Sequence, residues 1–260
     1  MRLAGPLQSW GEHSAFSRNR DTASFPTRSG IIGMCAAAEG IARDDKQALA
    51  SYQELQFVIR VDRPGKRLID YHTVGGGQPK ELTAAASAGG NKGAAVVTYR
   101  HYLADAVFVV AVTGPSPRIA TIAEALRQPY WAPYLGRRAC IPDEPFLLRS
   151  AVHDPVTELR QQVPLSADFA RELSADQTLP VTFLWEQEAK AAQPNLDVFA
   201  FLHDQPVSFA PQGRRHAKRR VYRTVEQLPA TLATGGRNGI LHERLVDYAL
   251  HTHAHEEVPA

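Results

Sequence analysis

Two short turns of this 260-residue sequence place arginine side chains where they could bind an anion. The segment 26–30 (PTRSG) opens a predicted helix, where free backbone N–H groups, hydroxyl groups and a guanidinium would converge on a phosphate. The segment 133–138 (PYLGRR) presents adjacent arginines on a glycine turn, and arginine makes bidentate contacts to phosphate or guanine that lysine cannot reproduce. The hydroxyl groups of the first turn would equally suit a helix N-cap, which is their commoner use. The candidate contact residues are Thr27, Arg28, Ser29, Tyr134, Arg137 and Arg138.

A third candidate turn lies in the segment 2–11 (RLAGPLQSWG), directly after a predicted first strand. Its glycines and proline would let the backbone approach a ligand closely, and Trp10 could then stack on a base. A tryptophan at this position is also a common core anchor, so both roles remain open for Trp10.

The segment 74–95 holds six glycines and almost no large apolar residue, so it cannot build a core of its own. Loops of this length inside a domain are usually functional or disordered. The segment carries Lys80 and is flanked by His72 and Arg100, so the pattern indicates an arm that closes over a nucleic-acid backbone. A merely flexible insertion is the alternative.

Signatures of known enzyme classes are missing, since the sequence has no G-x-S-x-G, H-E-x-x-H or Walker loop. Metal-free RNA cleavage needs only a base, an acid and a cation beside a 2′-hydroxyl. The candidates for these roles are Tyr71, His72, Lys80 and His101. A histidine that stacks on RNA would give the same sequence pattern. Cys35 and Cys140 lie too far apart for a zinc motif and the histidines of 251–255 indicate a polar terminus, so no metal or cofactor is predicted.

Positive charge is unevenly distributed, although the whole chain carries only +2. Residues 60–140 hold 11 Lys and Arg against 5 Asp and Glu, whereas residues 141–210 hold 4 against 11. Residues 211–223 hold six basic side chains and no acidic one. The candidate contacts in this last segment are Arg214, Arg215 and Lys218. Clustered cations repel unless phosphates neutralise them, so the pattern predicts a bound polyanion, unless the segment is simply a solvated basic loop.

The elements that would position these residues form an α+β pattern. Apolar periodicity predicts strands at 2–4, 55–61, 96–102, 107–113 and 146–152, and helices at 27–42 and 118–128, the second capped by Ser116. Their order, β-α-β-β-α-β, is the ferredoxin-like topology that is also found in RRM-like RNA-binding sheets. Further strand-like segments follow at 179–188, 196–202 and 218–225.

Composition limits the class of protein. With 44% hydrophobic and 22% charged residues, the chain resembles a folded globular protein and not a disordered or fibrous one. No apolar run approaches the ~20 residues that cross a bilayer, and the first residues open no signal-peptide pattern. We therefore expect a cytoplasmic protein without membrane contact.

Four blocks of the sequence together resemble a known family. The blocks are 2–11 (RLAGPLQSWG), 25–33 (FPTRSGIIG), 70–74 (DYHTV) and 133–140 (PYLGRRAC). In this order and spacing they are similar to the signature blocks of the Cas5 (CasD) subunits of type I-E CRISPR Cascade complexes, which belong to the RAMP superfamily. The resemblance extends over residues 1 to about 155 and is weaker beyond.

The resemblance implies a ferredoxin-like RAMP domain over residues 1–155 with a protruding thumb at about 74–95. It implies a smaller β-rich part over 156–260, which includes the basic segment 211–223 and a polar tail. The implied function is that of a non-catalytic subunit, which binds the 5′ handle of the CRISPR RNA and caps the foot of the complex. The implied partners are the backbone subunit, the large subunit and target DNA.

The resemblance also directs attention to particular side chains. It implies handle phosphates on the first helix and on the turn at 133–138, with bases near Trp10, His72 and Arg100. The alternative is that the chain is itself a metal-independent endoribonuclease that processes precursor CRISPR RNA. Its candidate residues would be Tyr71, His72 and Lys80.

One feature departs from the family pattern. Family members usually carry several apolar residues before the block at residues 2–11, and these complete a central first strand. A first strand cut to a few residues should lose burial and ladder hydrogen bonds. We therefore expect either that the natural start lies upstream of Met1 or that a neighbouring chain covers the gap.

Overall fold

The computed structural model describes residues 1–11, 18–75, 79–83, 90, 95–166, 174, 176–187, 198–210, 213–233 and 238–250, except for the side chains of Lys80 and Asn238. Within these residues the chain has the predicted α+β character. The strands are β1 (Arg2–Ala4), β2 (Leu7–Gln8), β3 (Asn19–Arg20), β4 (Gln56–Arg63), β5 (Lys66–Val74), β6 (Val96–Ala104), β7 (Val107–Thr113), β8 (Thr178–Trp185), β9 (Val198–Ser208) and β10 (Arg215–Pro229). The helices are α1 (Arg28–Ala38), α2 (Lys46–Ala50), α3 (Ser116–Arg127), α4 (Pro155–Gln161) and α5 (Asn238–Leu250), and short 3-10 helices cover Lys80–Leu82 and Ala230–Leu232.

Six strands form one antiparallel sheet in the order β1-β7-β4-β8-β10-β9. Strand β7 is apolar on both faces and lies inside the sheet, next to the edge strand β1. Strand β8 pairs with β4, where Ile59 lies opposite Leu184, so the C-terminal strands extend the N-terminal sheet. The expected division after residue 155 therefore does not coincide with a break in this sheet.

Helices cover both faces of the larger sheet. Successive residues of β7 point to opposite faces, so Phe108 and Val110 lie in one hydrophobic cluster and Val109 and Ala111 lie in another. The first cluster includes the apolar sides of α1 and α3, and the second includes those of α4 and α5. The sheet is thus the middle layer of the fold.

A buried arginine joins the larger sheet to α4. Arg60 is fully buried and makes a two-bonded ion pair with Asp62, at 2.7 and 3.0 Å. Its Nη1 also donates to the carbonyl oxygens of Leu159 and Val163, at 2.6 and 2.9 Å. Because a buried charge is tolerated only when it is paired and hydrogen-bonded, Arg60 has a structural role.

The smaller sheet is built around β6. Strand β5 pairs antiparallel along one edge of β6, from Lys66 opposite Ala104 to Val74 opposite Val96. Strands β2 and β3 pair with the other edge, β3 in parallel. The segment 74–95 therefore connects the two strands of a hairpin. Most of it lies outside the described residues, as does the tail at 251–260, so the thumb remains a prediction.

Most predicted elements are confirmed, but β2, β3, β5 and the helices α2, α4 and α5 were not predicted, and two predictions are corrected. The segment 146–152 is not a strand; a hydrogen bond of 2.7 Å from the Arg2 amide to the Phe146 carbonyl joins it to β1. Strand β5 was not predicted because it is largely exposed on both faces and has no apolar alternation. The N-cap of α3 is Pro115 and not Ser116, and it provides no side-chain hydrogen bond.

The first strand is as short as the sequence predicts. It pairs with β7 only from Val107 to Val109. The amine of Met1 is buried and donates to the carbonyl of Val110 at 2.9 Å, and burial lowers the pKa of this amine to about 5. An apolar cleft of about 80 Å³ lies beside Met1, between Val112 and Leu147.

Candidate nucleic-acid interface

The protein's own carboxylate occupies the N-terminus of α1, where the sequence predicts a phosphate. Thr27 is the N-cap, and its Oγ1 accepts from the amide of Gly30 at 3.3 Å. The amide of Arg28 donates to Asp204 Oδ2 on β9 at 2.7 Å. Asp204 is 1% exposed and is held in turn by Arg219, at 2.6 and 2.8 Å. The predicted phosphate site at this helix end is therefore wrong, because Asp204 supplies the anion.

The Arg28 side chain is also committed inside the protein. It is 4% exposed, and its Nη1 donates to Glu186 at 2.6 Å. Its Nη2 donates to the carbonyl oxygens of Tyr52 and Leu55, at 3.1 and 2.9 Å. The predicted phosphate contact of Arg28 is therefore wrong. Ser29, the next residue, is half-buried at a helix end where Asp204 already supplies the negative charge.

Trp10 is a core residue and not an exposed stacking surface. Its side chain is 1% exposed, and its Nε1 donates to Gln8 Oε1 at 3.0 Å. A Cβ on Gly30 would lie 2.9 Å from the ring, so this glycine of α1 is needed for the ring to pack. The alternative of a core anchor is therefore confirmed for Trp10, and the predicted base stacking is wrong.

The smaller sheet brings several of the predicted residues together on one face. His72 lies opposite Thr98, and Asp70 lies opposite Arg100, in the register of β5 and β6. Alternate residues of a strand share a face, so His72 and Arg100 lie on the same side of the hairpin. Thr98 connects them, because its Oγ1 accepts from Arg100 Nε at 3.4 Å and donates to the His72 carbonyl at 3.3 Å.

The turn at 133–138 packs against this same face. The guanidinium of Arg137 lies 4.6 Å from the ring centre of Tyr102, two residues along β6 from Arg100. Its Nη2 donates to the carbonyl of Arg20 on β3 at 2.9 Å. Arg138 is exposed and Tyr134 is half-buried. We call the set His72, Arg100, Tyr134, Arg137 and Arg138 the basic face.

Gly136 fixes the position of this turn. Its φ of 85° is in the left-handed region, which favours glycine. A Cβ at this position would lie only 1.8 Å from the carbonyl oxygen of Ser9. The turn can therefore approach the chain before Trp10 only because it contains a glycine, and this approach places Arg137 over Tyr102.

Two buried polar atoms of the basic face have no hydrogen-bond partner among the described residues. They are His72 Nδ1 and Arg137 Nη1. A buried polar group without a partner can accept a ligand, an ion or a water molecule, and the basic face holds two of the eight such atoms in the described chain. Since Arg137 also has no ion pair within the described part of the chain, its charge is available to an anion.

The candidate catalytic residues are divided between the two faces of the hairpin. Tyr71 lies opposite Tyr99 and shares a face with His101, whereas His72 lies on the other face. Tyr71 is 61% exposed, and its ring packs edge-on against that of Tyr99 at 5.7 Å. Lys80 lies in a 3-10 turn, but its side chain is outside the described residues. The backbone geometry does not bring Tyr71 and His72 to a common ligand.

The remaining predicted residues lie on the hairpin of β9 and β10. Arg214, Arg215 and Lys218 are all exposed there. Arg219 of the same segment points inward and binds Asp204 and Glu186. The basic segment thus contains one inward arginine, which stabilises the fold, and exposed cations for which the described residues provide no ion pair.

Sequence reasoning missed two features around these sites. Asp204 binds the N-terminus of α1 and Glu186 binds the Arg28 side chain, and no local signal links either carboxylate to Arg28. Tyr130 and Trp131, beside the basic turn, are 71% and 59% exposed, with ring centres 5.2 Å apart. Two adjacent aromatic residues between prolines, just after a helix, were a signal that could have identified them.

The described residues show neither a cluster of metal-ligating side chains nor a membrane-spanning helix. No group of three or more potential metal-ligating side chains occurs within the residues that the structure covers. In that same part of the chain, no helix is long and apolar enough to cross a membrane. Cys35 and Cys140 are both free and buried, and burial raises the pKa of the Cys35 thiol to about 12.

Comparison with known proteins gives a consistent family. The sequence profile of the family described as CRISPR-associated protein (Cas_Cas5) matches residues 1–222. The chain is 36% identical over 187 residues to the CRISPR system Cascade subunit CasD of Escherichia coli (strain K12), which covers 67% of this chain and 80% of that protein.

Solved structures agree with this result. A chain of a CRISPR RNA-guided surveillance complex superposes with a TM-score of 0.83 at 47% identity, covering 96% of this chain and 98% of the other. A crystal structure of a Cas protein superposes with a TM-score of 0.58 at 28% identity, covering 89% and 95%. These findings confirm the resemblance carried by the four sequence blocks. The chain belongs to the Cas5 family of CRISPR-associated proteins.

Proposed function

We propose that this protein is a non-catalytic, RNA-binding subunit of a CRISPR interference complex. In this proposal it binds the 5′ handle of the CRISPR RNA and caps the foot of the complex in the cytoplasm. Its similarity to a Cascade subunit and to a chain of an RNA-guided surveillance complex supports a role in such an assembly. Its partners would be CRISPR RNA, the backbone and large subunits, and target DNA through the complex.

The basic face is the observation that carries the RNA contact. It combines a guanidinium held over an aromatic ring, an exposed Arg138 and the unpartnered atoms His72 Nδ1 and Arg137 Nη1. Guanidinium groups bind phosphate, and a partly exposed histidine can hydrogen-bond or stack with an unpaired base. A single-stranded RNA segment supplies both groups at once.

We further propose that the basic face stands on a ferredoxin-like domain. The chain order β1, α1, β4, β7, α3 and the neighbouring positions of β1, β7 and β4 support this assignment. The segment around Phe146, bonded to Arg2, would take the place of the last strand. The hairpin of β5 and β6 would then carry the thumb at 74–95.

The endoribonuclease is the second candidate, and the structure favours it less. Its tyrosine and histidine candidates, Tyr71 and His72, lie on opposite faces of β5. A base and an acid must both reach the same 2′-hydroxyl and leaving group, which opposite faces of one strand do not allow without rearrangement.

A gel assay with 5′-labelled precursor CRISPR RNA in EDTA separates the two functions. The proposal predicts a handle-dependent band shift without cleavage. It also predicts that Arg100→Gln combined with Arg137→Gln weakens the shift, whereas the exposed control Lys46→Gln on α2 does not. Specific cleavage at the handle boundary that His72→Ala abolishes would establish the endoribonuclease instead.

A further inference from the structure

The open edges of the two sheets differ in how they are protected. Strands β1, β2 and β3 lie at edges, but each covers only two or three residues. Strand β9 is long, but it contains Pro206 and pairs with β10 through three register shifts. Short strands, prolines and bulges all hinder the pairing of a further strand. These four edges are therefore poor templates for another chain.

Strand β5 is the one long edge of the described residues that has none of these protections. It spans Lys66–Val74, contains no proline and pairs with β6 in an unbroken register. Along its second edge, no other strand pairs within the described part of the chain. Such an edge presents a row of free N–H and C=O groups, which another extended strand can bind.

Apolar side chains are exposed on both faces of β5. Ile69 and Tyr71 share one face and are 60% and 61% exposed. Leu68 and Val74 share the other face and are 42% and 37% exposed. A strand added at this edge would bury part of all four side chains, which favours its binding.

The sequence of β5 is complementary to itself. Two copies related by a two-fold axis pair antiparallel, so that each contact occurs twice. With the axis at Tyr71, Asp70 lies opposite His72 of the second copy, and Leu68 lies opposite Val74 of the second copy. The two Tyr71 rings then lie opposite each other. An acid thus meets a histidine and apolar side chains meet apolar ones, which are favourable cross-strand pairs.

Neighbouring registers are less favourable. An axis at Asp70 would place the two Asp70 carboxylates opposite each other, and like charges in this position are destabilising. An axis at Ile69 would place apolar Leu68 opposite the Asp70 carboxylate. Self-pairing of β5 therefore has one preferred register, centred on Tyr71.

We propose that the free protein forms a symmetric dimer, in which β5 pairs antiparallel with β5 of a second copy around Tyr71. The two smaller sheets then form one continuous sheet. This dimer goes beyond the proposed function, because it concerns the protein outside the complex. It covers the unprotected edge, which would otherwise promote aggregation of the isolated chain.

The test places a single cysteine on β5 of the full-length protein. Tyr71→Cys would set the two new cysteines opposite each other, with Cβ atoms about 4.5–5.5 Å apart. Ile69→Cys is the matched control, because Ile69 is equally exposed but lies opposite Thr73 of the second copy. Its two cysteines would be separated by about 13 Å along the strand, which is too far for a disulfide. Cys35 and Cys140 are buried, and the natural protein measures their background.

Two results are expected. Sedimentation of the natural protein should change from monomer to dimer between about 1 and 100 µM, since the interface is small. With oxidised glutathione, Tyr71→Cys should give at least about 10-fold more disulfide-linked dimer than Ile69→Cys on a non-reducing gel. Both variants should keep the natural thermal unfolding curve, because both positions are exposed.

Three outcomes would overturn the proposal. They are a natural protein that stays monomeric over this range, equal crosslinking of the two variants, and crosslinking of Ile69→Cys alone. The experiment contains no RNA, so its failure would leave the proposed handle binding untouched.

Discussion

The turns at 26–30 and 133–138 have similar compositions, but their arginines end in different environments. In the first turn, Arg28 is 4% exposed, paired with Glu186 and bonded to backbone carbonyls. In the second, Arg137 makes no ion pair with any carboxylate of the described residues, and Arg138 is exposed. The first turn stabilises the fold, and the second is open to a ligand.

The difference comes from carboxylates supplied by distant strands. Asp204 and Glu186 reach the first turn from 176 and 158 residues away in sequence. No acidic residue of the described chain reaches Arg137 in this way. An arginine motif therefore indicates a ligand site only when the fold leaves its charge uncompensated.

The largest expected effect concerns the stability of the first turn. Arg28→Gln removes a buried ion pair and the bonds to three carbonyls, and it should lower the free energy of unfolding by about 3–5 kcal/mol. Arg138→Gln, at an exposed site, should change it by less than ~0.5 kcal/mol. Urea unfolding of both variants measures the contrast, and similar values for the two would contradict the distinction between the turns.

The next effect concerns the glycine that positions the second turn. Gly136→Ala combines backbone strain with a Cβ placed 1.8 Å from the Ser9 carbonyl. Gly213→Ala is the matched control, because its φ is 86° but no atom lies within 4 Å of the added Cβ. The control should cost about 1–2 kcal/mol from strain alone. Gly136→Ala should cost clearly more and should also weaken handle RNA binding, as measured by urea unfolding and a band-shift titration.

A smaller effect separates the two arginines of the second turn. Arg138→Gln should weaken handle RNA binding and reduce the slope of log affinity against log salt by ~0.7, the value for one phosphate contact in a single strand. Arg137→Gln should weaken RNA binding as well, but it should also lower stability by about 0.5–1 kcal/mol because its contact with Tyr102 is lost. Salt-dependent anisotropy and thermal unfolding measure the two quantities. Unchanged RNA binding in both variants would remove the second turn from the interface.

The smallest expected effect concerns the pKa of His216, which lies on the hairpin of β9 and β10. Burial first, and then the charge of Arg214, lower the pKa of His216 below its ordinary value of 6.5. Below pH 6.5 the unfolded chain therefore binds this proton more readily than the folded chain, so the contribution of His216 to stability is lost as pH falls. NMR titration should give a lowered pKa that Arg214→Gln raises, and a pKa at or above 6.5 in the natural protein would contradict this environment.

Much of the fold follows from local sequence patterns. Strand β4 alternates between apolar and polar residues and β7 is continuously apolar, and both lie inside a sheet with a strand on either side. Helix α1 begins after an N-cap threonine, Thr27. Strand β5 has no such pattern because it is exposed on both faces. The segment 146–152 has apolar residues because Phe146 and Leu148 pack in the core, and this packing does not require a strand.

The candidate site was less predictable than the fold. The sequence places Arg100, His72 and Arg137 at suitable points, but only the register of β5 and β6 and the approach of Gly136 to Ser9 bring them to one face. Tryptophan and arginine are residue types that often contact nucleic acids, but Trp10 and Arg28 are buried because residues distant in the chain pack around them. Such enclosure is a property of tertiary structure and leaves no local signal.

Photo-crosslinking tests the central distinction between the two turns most directly. Handle RNA substituted with 4-thiouridine would be bound to the full-length protein, irradiated and digested, and the crosslinked peptides identified by mass spectrometry. We predict crosslinks to peptides that contain His72, Arg100 or the segment 133–138, and none to the segment 26–30. Crosslinks concentrated at 26–30 would contradict the account, since they would show that the buried first turn, and not the basic face, holds the RNA.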